Sequence, residues 1–406
     1  MLPRVLLVSG LLLVCSAATQ AAKSLTVEVR APNRGYRLAP VSVPVPAPRT
    51  AASVRVVDVA ADKPVPAQLA SEGDLVVVRW IVADLPQGAA RKYRLTLLER
   101  RQAGAETGGV RVDTKTDPAA AEITVDGRLF TRYCHQGAPK PYCYPVMGPT
   151  GVPMTRAYPM ENVEGETQDH PHHRSLWFTH GEVNGVDFWA EGSDKGRQEH
   201  RAFLAVEEGP VSGGLRAVVN WVTAEGRKVC EDEREFRVWN VPGVRLLDFT
   251  STLRATEGPV EFGDTKEGSF GIRVASAMDV TPGHPEAHIT NSAGQRDEEA
   301  WGKPAEWCDH SGPIDGLMLG ISILGHPSSF RHPTYWHVRT YGLFAVNPFG
   351  LRHFIGDKDG KGRFTLESGQ TVTFRNRILI HPGDVEEAKV ADWYGEYADP
   401  PEVVVQ

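Results

Sequence analysis

Leu25, Val27 and Val29 alternate with Thr26, Glu28 and Arg30 near the start of the chain. Side chains of a strand point alternately to its two faces, so this pattern predicts a strand with one face buried and one wet. The same reading holds for Val54 to Val59, Asp74 to Trp80 and Lys92 to Leu98. Pro40, Pro44, Pro46 and Pro48 cannot donate to a ladder and mark a sheet edge or an irregular crossing. Turn signals between the runs predict a small β-sandwich over residues 23–101. It contains no cluster of histidines or acids, so it reads as an accessory domain. Residues 102–109, Q-A-G-A-E-T-G-G, have the composition of a linker. Beyond them Asp126-Gly127 sits between two alternating runs, a strong hairpin signal. Residues 141–159 are rich in Pro, Gly, Tyr and Met and predict a long ordered loop. Leu215 to Val222, Cys230 to Val238 and Val244 to Leu253 then predict long antiparallel strands in series. One helix is predicted near the end, with Asp384 as N-cap and Val385, Ala388, Ala391 and Tyr394 on one face, stopped by Asp399-Pro400-Pro401. The predicted class is all-β: a small N-terminal β-sandwich, then a large β-supersandwich over 110–406 with a short C-terminal helix.

Composition agrees, with 40 Gly and 30 Pro against few long helical patterns. Residues 1–22 describe a secretory leader: Arg4, an apolar run from Val5 to Ala18, then small residues to Ala22. The run is too short for a comfortable membrane span, and Val14 before Cys15 argues against a lipid anchor. Cleavage near residues 18–22 leaves an exported, periplasmic or extracellular protein. Loss of Arg4 takes the formal net charge from −7 to −8, a balance that argues against nucleic acid and anionic membranes as partners. Nothing in the sequence fixes an oligomeric state. Of the four remaining cysteines, Cys134 and Cys143 are the local candidates for a disulfide, with buried or loosely paired thiols as the other reading.

Candidate chemistry concentrates in Asp169 to Trp189, D-H-P-H-H-R-S-L-W-F-T-H-G-E-V-N-G-V-D-F-W. His170, His172, His173 and His180 lie here, interleaved with Arg174, Glu182, Asp187, Trp177 and Trp189. Imidazoles titrate near neutrality and ligate metals, so such clustering suits proton transfer or cation binding. If His170 to Phe178 is extended, His170, His172 and Arg174 share a face and His173 takes the other. A second segment, Glu267-G-S-F-G-I-Arg273, would present Glu267, Ser269, Gly271 and Arg273 on one face and Phe270 and Ile272 to a core. A third, Trp336-His337-V-Arg339-T-Tyr341 running on to Asn347, offers a hydrogen-bonding wall. A fourth, Trp307 to Pro313, reads as a turn carrying Asp309 and His310. No phosphate loop, G-x-S-x-G elbow or H-E-x-x-H motif appears, which disfavours phosphoryl transfer, serine hydrolysis and zincin chemistry.

Taken together, D-H-P-H-H-R-S-L-W-F-T-H, E-G-S-F-G-I-R-V-A, W-C-D-H-S-G-P and P-T-Y-W-H-V-R-T-Y-G-L-F-A-V-N-P-F-G resemble an exported bacterial family labelled "methane oxygenase PmoA". The resemblance runs from about Val110 to Pro401, with His310 where an aromatic Tyr is expected. A membrane methane monooxygenase subunit needs several spanning helices, and the sequence offers no apolar run for them after the leader. The family's large domain is similar to the galactose mutarotase-like supersandwich, whose members bind or process sugars on a concave sheet. That resemblance implies a histidine acid and a carboxylate base. By residue type, His172, His173, His180 or His337 would be the acid and Glu267 the base.

The expected function is therefore an exported carbohydrate-active enzyme of epimerase, lyase or glycosidase type. Trp177, Trp189 and Trp336 would stack on sugar faces, and Arg174, Arg273 and Arg339 would receive a carboxylate such as that of a uronic acid. Asp187, Tyr341 and Asn347 would complete the substrate contacts. No cofactor is required under this reading. One alternative is a Zn²⁺ or Cu²⁺ enzyme with His170, His172 and His173 as ligands; another is a glycan-binding protein without turnover.

Overall fold

The computed structural model describes residues 24–46, 51–100 and 108–406; the expected leader and most of the expected linker lie outside them. Nearly all regular structure is antiparallel strand, arranged in two sandwiches. The small sandwich packs a five-stranded sheet, including Ser24–Arg30, Ala90–Leu98 and Ser53–Asp58, on a three-stranded one with Leu75–Leu85 at its centre. Val27, Val29, Val56, Trp80 and Leu95 are fully buried between them, the alternate positions that their hydrophobic pattern marked. The proline-bearing Tyr36–Pro44 strand is an edge of the three-stranded sheet, where missing donors face no partner. The final strand, Glu402–Val405, leaves the large domain and pairs with Ser24–Arg30, so the small sandwich takes both ends of the described chain.

The large domain faces a nine-stranded sheet against an eight-stranded one. Across the first sheet the central strands run Thr334–Val338, Leu343–Asn347, Gly268–Arg273, Leu176–His180 and Tyr142–Val146. Tyr142–Val146 lies inside the stretch expected to be a loop. Leu176, Phe178, Phe270, Ile272, Phe344 and Val346 point inward and meet Phe249 and Phe374 of the second sheet. Phe249 stacks on Phe270 with centroids 4.6 Å apart. Asp126 and Gly127 occupy the hairpin turn between Ala120–Val125 and Arg128–Cys134 with φ of 49° and 75°, the left-handed values that a two-residue hairpin turn demands.

Three local expectations are corrected. Trp307–Ile314 is a buried strand of the eight-stranded sheet, not a turn. Asp309 there accepts hydrogen bonds from Ser322 (2.7 Å) and His381 (2.9 Å), and His310 donates Nε2–H to the Met278 carbonyl at 2.8 Å. The helix starts later than expected, at Val390, and buries Val390 and Trp393; Ala391 is exposed. Asp384 instead holds the preceding turn, accepting from the Glu386 and Glu387 amides at 2.9 Å each. Finally, Cys134 pairs across the ladder with Tyr142 and Cys143 with Tyr133. Neighbouring ladder positions point to opposite faces, so the two thiols are separated by the sheet; both are free.

Candidate functional site

Register brings the sequence-predicted segments onto one face. Trp177 lies opposite Gly271, Gly271 opposite Ala345 and Ala345 opposite His337, a row across four strands on the side away from the core. Gly271 must be glycine, since a Cβ there would come within 2.7 Å of the Trp177 ring. Trp177, Trp189, Leu343 and Ala345 make a small apolar floor on this outer face.

The histidines rise from that floor, though not on a strand. Residues 170–175 form a turn in which His173 N–H donates to the His170 carbonyl at 2.9 Å. His170 and Ser175 take positive φ, 43° and 56°, so the strand-face assignment made for His170, His172 and Arg174 does not apply. The turn stacks four rings in a column. Trp177 lies under His173 (5.3 Å, 16°), His173 under His170 (4.8 Å, 6°), and Tyr341 covers His170 (5.1 Å, 5°). His173 is thus 1% exposed, and burial drives its pKa far below the usual imidazole range. It accepts a hydrogen bond from Arg273 at 3.2 Å. His172 packs edge-on against His173, and burial pushes it down to about 4.

A metal ligand set does not fit this triad. An imidazole lone pair lies in its ring plane, so the near-parallel rings of His170 and His173 cannot both aim at one ion. Among the described residues no group of three or more His, Cys, Asp or Glu side chains could hold a metal ion.

Asp169 organises the turn, a role that sequence reading missed. Its carboxylate accepts from Arg156 Nη1 at 2.5 Å, pairs with Arg273 Nη2 at 2.8 Å, and receives His170 Nδ1–H at 3.0 Å. Both guanidiniums are fully buried. Burial opposes ionisation of Asp169, but Arg273, Arg156 and His170 outweigh it and hold its carboxyl below the ordinary value. Burial raises nearby Asp279 to about 6, against the attraction of Arg273. Asp169 opens the histidine stretch but was given no role there, and Arg156 had no sequence signal beyond lying near it.

At the other end of the row, His337 donates Nδ1–H to the Lys266 carbonyl at 2.7 Å, and its Nε2 has no hydrogen-bond partner among the described residues. Burial lowers it to about 4, against the attraction of Glu267. Burial likewise opposes charge on Glu267, yet the Lys266 ammonium and the Thr265 hydroxyl hold its carboxyl below the usual range. Burial raises Tyr341, against the Arg339 and Arg273 guanidiniums; its ring covers His170 and lies 4.9 Å from the Arg273 guanidinium and 5.7 Å from that of Arg339.

Several expected contacts are corrected. His180 turns to the interior: it is 1% exposed, bonds the Gly263 carbonyl at 2.9 Å and packs on Phe349. Trp336 is fully buried, donating to the Ala305 carbonyl, and Trp177 and Trp189 are closed over by the histidine turn. Arg273 is enclosed as described. Arg174 is spent on Glu191 through two bonds of 2.8 Å. Asp187 caps the Trp189 and Ala190 amides. Asn347 is buried and fixes the 265–267 segment by donating to the Thr265 and Lys266 carbonyls at 2.9 Å each. The groups left facing outward are His170, Arg339, and in part His172, Glu267 and Tyr341.

Comparison with known proteins adds a family. The model of a family described as "Family of unknown function (DUF6807)" matches residues 120–394, and the chain belongs to that family. The resemblance to methane oxygenase PmoA is corrected accordingly, because the matching family carries no such label. No curated protein matches the chain. Among solved structures it is similar to an alpha-mannosidase from Enterococcus faecalis V583, at 10% identity and TM-score 0.43 over 94% of this chain and 46% of that one. It is also similar to a protein in glycosyl hydrolase family 38 from Enterococcus faecalis, at 9% identity and TM-score 0.40 over 94% and 47%. A GH36 alpha-galactosidase from Geobacillus stearothermophilus in complex with stachyose follows at 11% and 0.27 over 68% and 40%. The chain spans about half the length of the first two. At that likeness no residue's role carries across. No helix among the described residues is long and apolar enough to cross a membrane.

Proposed function

We propose that this member of the DUF6807 family is an exported carbohydrate-active enzyme whose substrate lies on the outer face of the nine-stranded sheet. One observation carries the reading. His170 stacks on Tyr341, His337 stands on the outer face of the Thr334–Val338 strand that leads to it, and each has Nδ1 against an oxygen that can only accept, the Asp169 carboxylate at 3.0 Å or the Lys266 carbonyl at 2.7 Å. Nδ1 held against such an oxygen leaves Nε2 as the ring nitrogen that can exchange a proton with a substrate. Breaking or epimerising a sugar C–O or C–H bond needs one group to take a proton and another to give it, and imidazoles with a fixed tautomer suit both tasks. His170 is the exposed one, with its side chain 40% accessible, and acts as the base oriented by Asp169. His337, 4% exposed and drawn toward charge by Glu267, is the buried partner, serving the far side of the substrate through Nε2.

A rival reading, glycan binding without turnover, draws on a different observation: the Glu267 carboxylate is already engaged by Lys266 and Thr265. Both readings meet the same assay. Wild type, His170→Ala, His337→Ala and Glu267→Gln are incubated with a panel of neutral and acidic sugars, and products are followed by NMR. Loss of about a hundredfold or more in rate in either histidine variant, with binding retained, is expected. Turnover undiminished in both histidine variants would sink the enzyme reading, and binding without any product would favour the rival.

A further inference from the structure

The tryptophans first expected to stack on sugar are buried, but a different set of rings borders His337. Trp301 and Phe354 meet edge to face at 5.5 Å, and Phe354 lies parallel to Tyr335 at 5.8 Å and 9°. Phe354 is also 6.3 Å from the His337 ring. All three aromatics are half-buried, so each keeps part of its surface in water. Tyr335 and His337 alternate with the inward Trp336 and so share the outer face. Gly302, at φ 66°, lets this group close up, because a Cβ there would stand 3.3 Å from the Phe354 backbone and side chain.

Arg339 continues the same strand direction and is exposed. Its guanidinium lies 5.9 Å from the Trp301 ring and 5.7 Å from Tyr341, held by the ring faces. The other cations near the site are committed: Arg156 and Arg273 to Asp169, Arg174 and Lys140 to Glu191, Lys266 to Glu267. Arg339 has no carboxylate partner among the described residues. A guanidinium pre-ordered by two aromatics and left without a counter-ion is matched to a planar oxyanion, which it binds through two parallel N–H bonds.

We infer that Trp301, Tyr335 and Phe354 form a stacking platform for one sugar ring and that Arg339 receives an oxyanion borne by that ring, foremost the carboxylate of a uronic acid. This rests on the reading that the outer face is the substrate site, and it narrows that reading to acidic sugars.

The test is calorimetric titration of the full chain with glucuronic acid, glucose, glucose 6-phosphate and glucose 6-sulfate. Wild type should bind the acid at least tenfold more tightly than glucose. Arg339→Gln should weaken glucuronate about ten- to a hundredfold and leave glucose unchanged, with Arg339→Lys in between. Trp301→Ala should weaken acidic and neutral sugars alike. A phosphate or sulfate ester bound more tightly than glucuronate, still through Arg339, supports the oxyanion site and changes its source. Equal affinity for glucose and glucuronate, glucuronate binding unaltered in Arg339→Gln, or no binding of any charged sugar overturns the inference. Histidine-dependent turnover of neutral sugars with Arg339 idle leaves the enzyme reading standing while this one falls. Arg339-dependent binding without turnover does the reverse.

Discussion

Replacing Asp169 by Asn tests whether the carboxylate holds the site together. Asn keeps the shape and removes the charge that two fully buried guanidiniums share. Stripping one partner from a buried pair costs about 3–5 kcal/mol. Two features reduce that here. The Asp169 side chain is 34% exposed, so water already screens it. Arg156 also retains the carbonyls of Tyr158, Thr167, Asp169 and His170 at 2.8–3.2 Å. Arg273 has less to fall back on, the His173 ring at 3.2 Å and the neighbouring Asp279. A net loss of about 2 kcal/mol follows, worth a fall of about 2–4 °C in the Tm of the large domain by calorimetry.

The pH dependence separates this account from a generic packing defect. Asp169 has its folded pKa depressed. Its stabilisation is present above the unfolded carboxyl value of about 3.9 and disappears as pH falls through the lower folded value. The gap between wild type and Asp169→Asn should therefore hold at neutral pH and narrow below pH about 4. The same substitution frees the His170 tautomer, so histidine-labelled ¹⁵N spectra should show its Nδ1 proton redistributing. An unshifted Tm at pH 7 with an unaltered His170 tautomer would refute the reasoning.

Two further outcomes follow from the packing and the histidines. Gly271→Ala drives a methyl into the Trp177 ring at 2.7 Å, beneath a column closed by His173, His170 and Tyr341; overpacking of this kind costs about 1–3 kcal/mol, so Tm should drop and the His170 spectrum should move with it. His172, His180, His200, His310 and His337 are each held by burial near 4, against an ordinary 6.5. Between those values the unfolded chain binds more protons, so stability should rise steeply as pH goes from 4 to 6.5, opposed in part by Asp279, raised to about 6. A flat Tm across pH 4.5–6.5 would contradict this.

The strands were legible because their signal is local. Alternation marked Val27 and Val29 and the Phe270/Ile272 inward pair, and Asp126-Gly127 announced its turn, since each feature is decided by neighbours two residues away. Placing Ser269, Gly271 and Arg273 on one face needed no more than period two. The histidine stretch defeated the same rule for a local reason. Positive φ at His170 and Ser175 breaks the extended backbone on which the face assignment depended, and Pro171 hinted at a bend without saying where the rings would go. The C-terminal strand was unreadable for a different reason, because its partner lies at the far end of the sequence.

What a face assignment cannot supply is what covers the face. Trp177 sits on the outer side of the sheet, as a stacking residue should, yet a turn from the same segment folds back and seals it with His173. Trp301 and Phe354 carried no distinctive pattern, one before a glycine and one in a four-residue helix; they meet because Pro304–Ala305 pairs with one side of Thr334–Val338 and Leu343–Asn347, which leads to Phe354, pairs with the other. Charge behaves the same way. Four arginines, Arg156, Arg174, Arg273 and Arg339, are equivalent as letters, and three of them are consumed by Asp169 and Glu191. Which of these four has no carboxylate partner among the described residues is a question of partner counting in three dimensions, and it singles out Arg339.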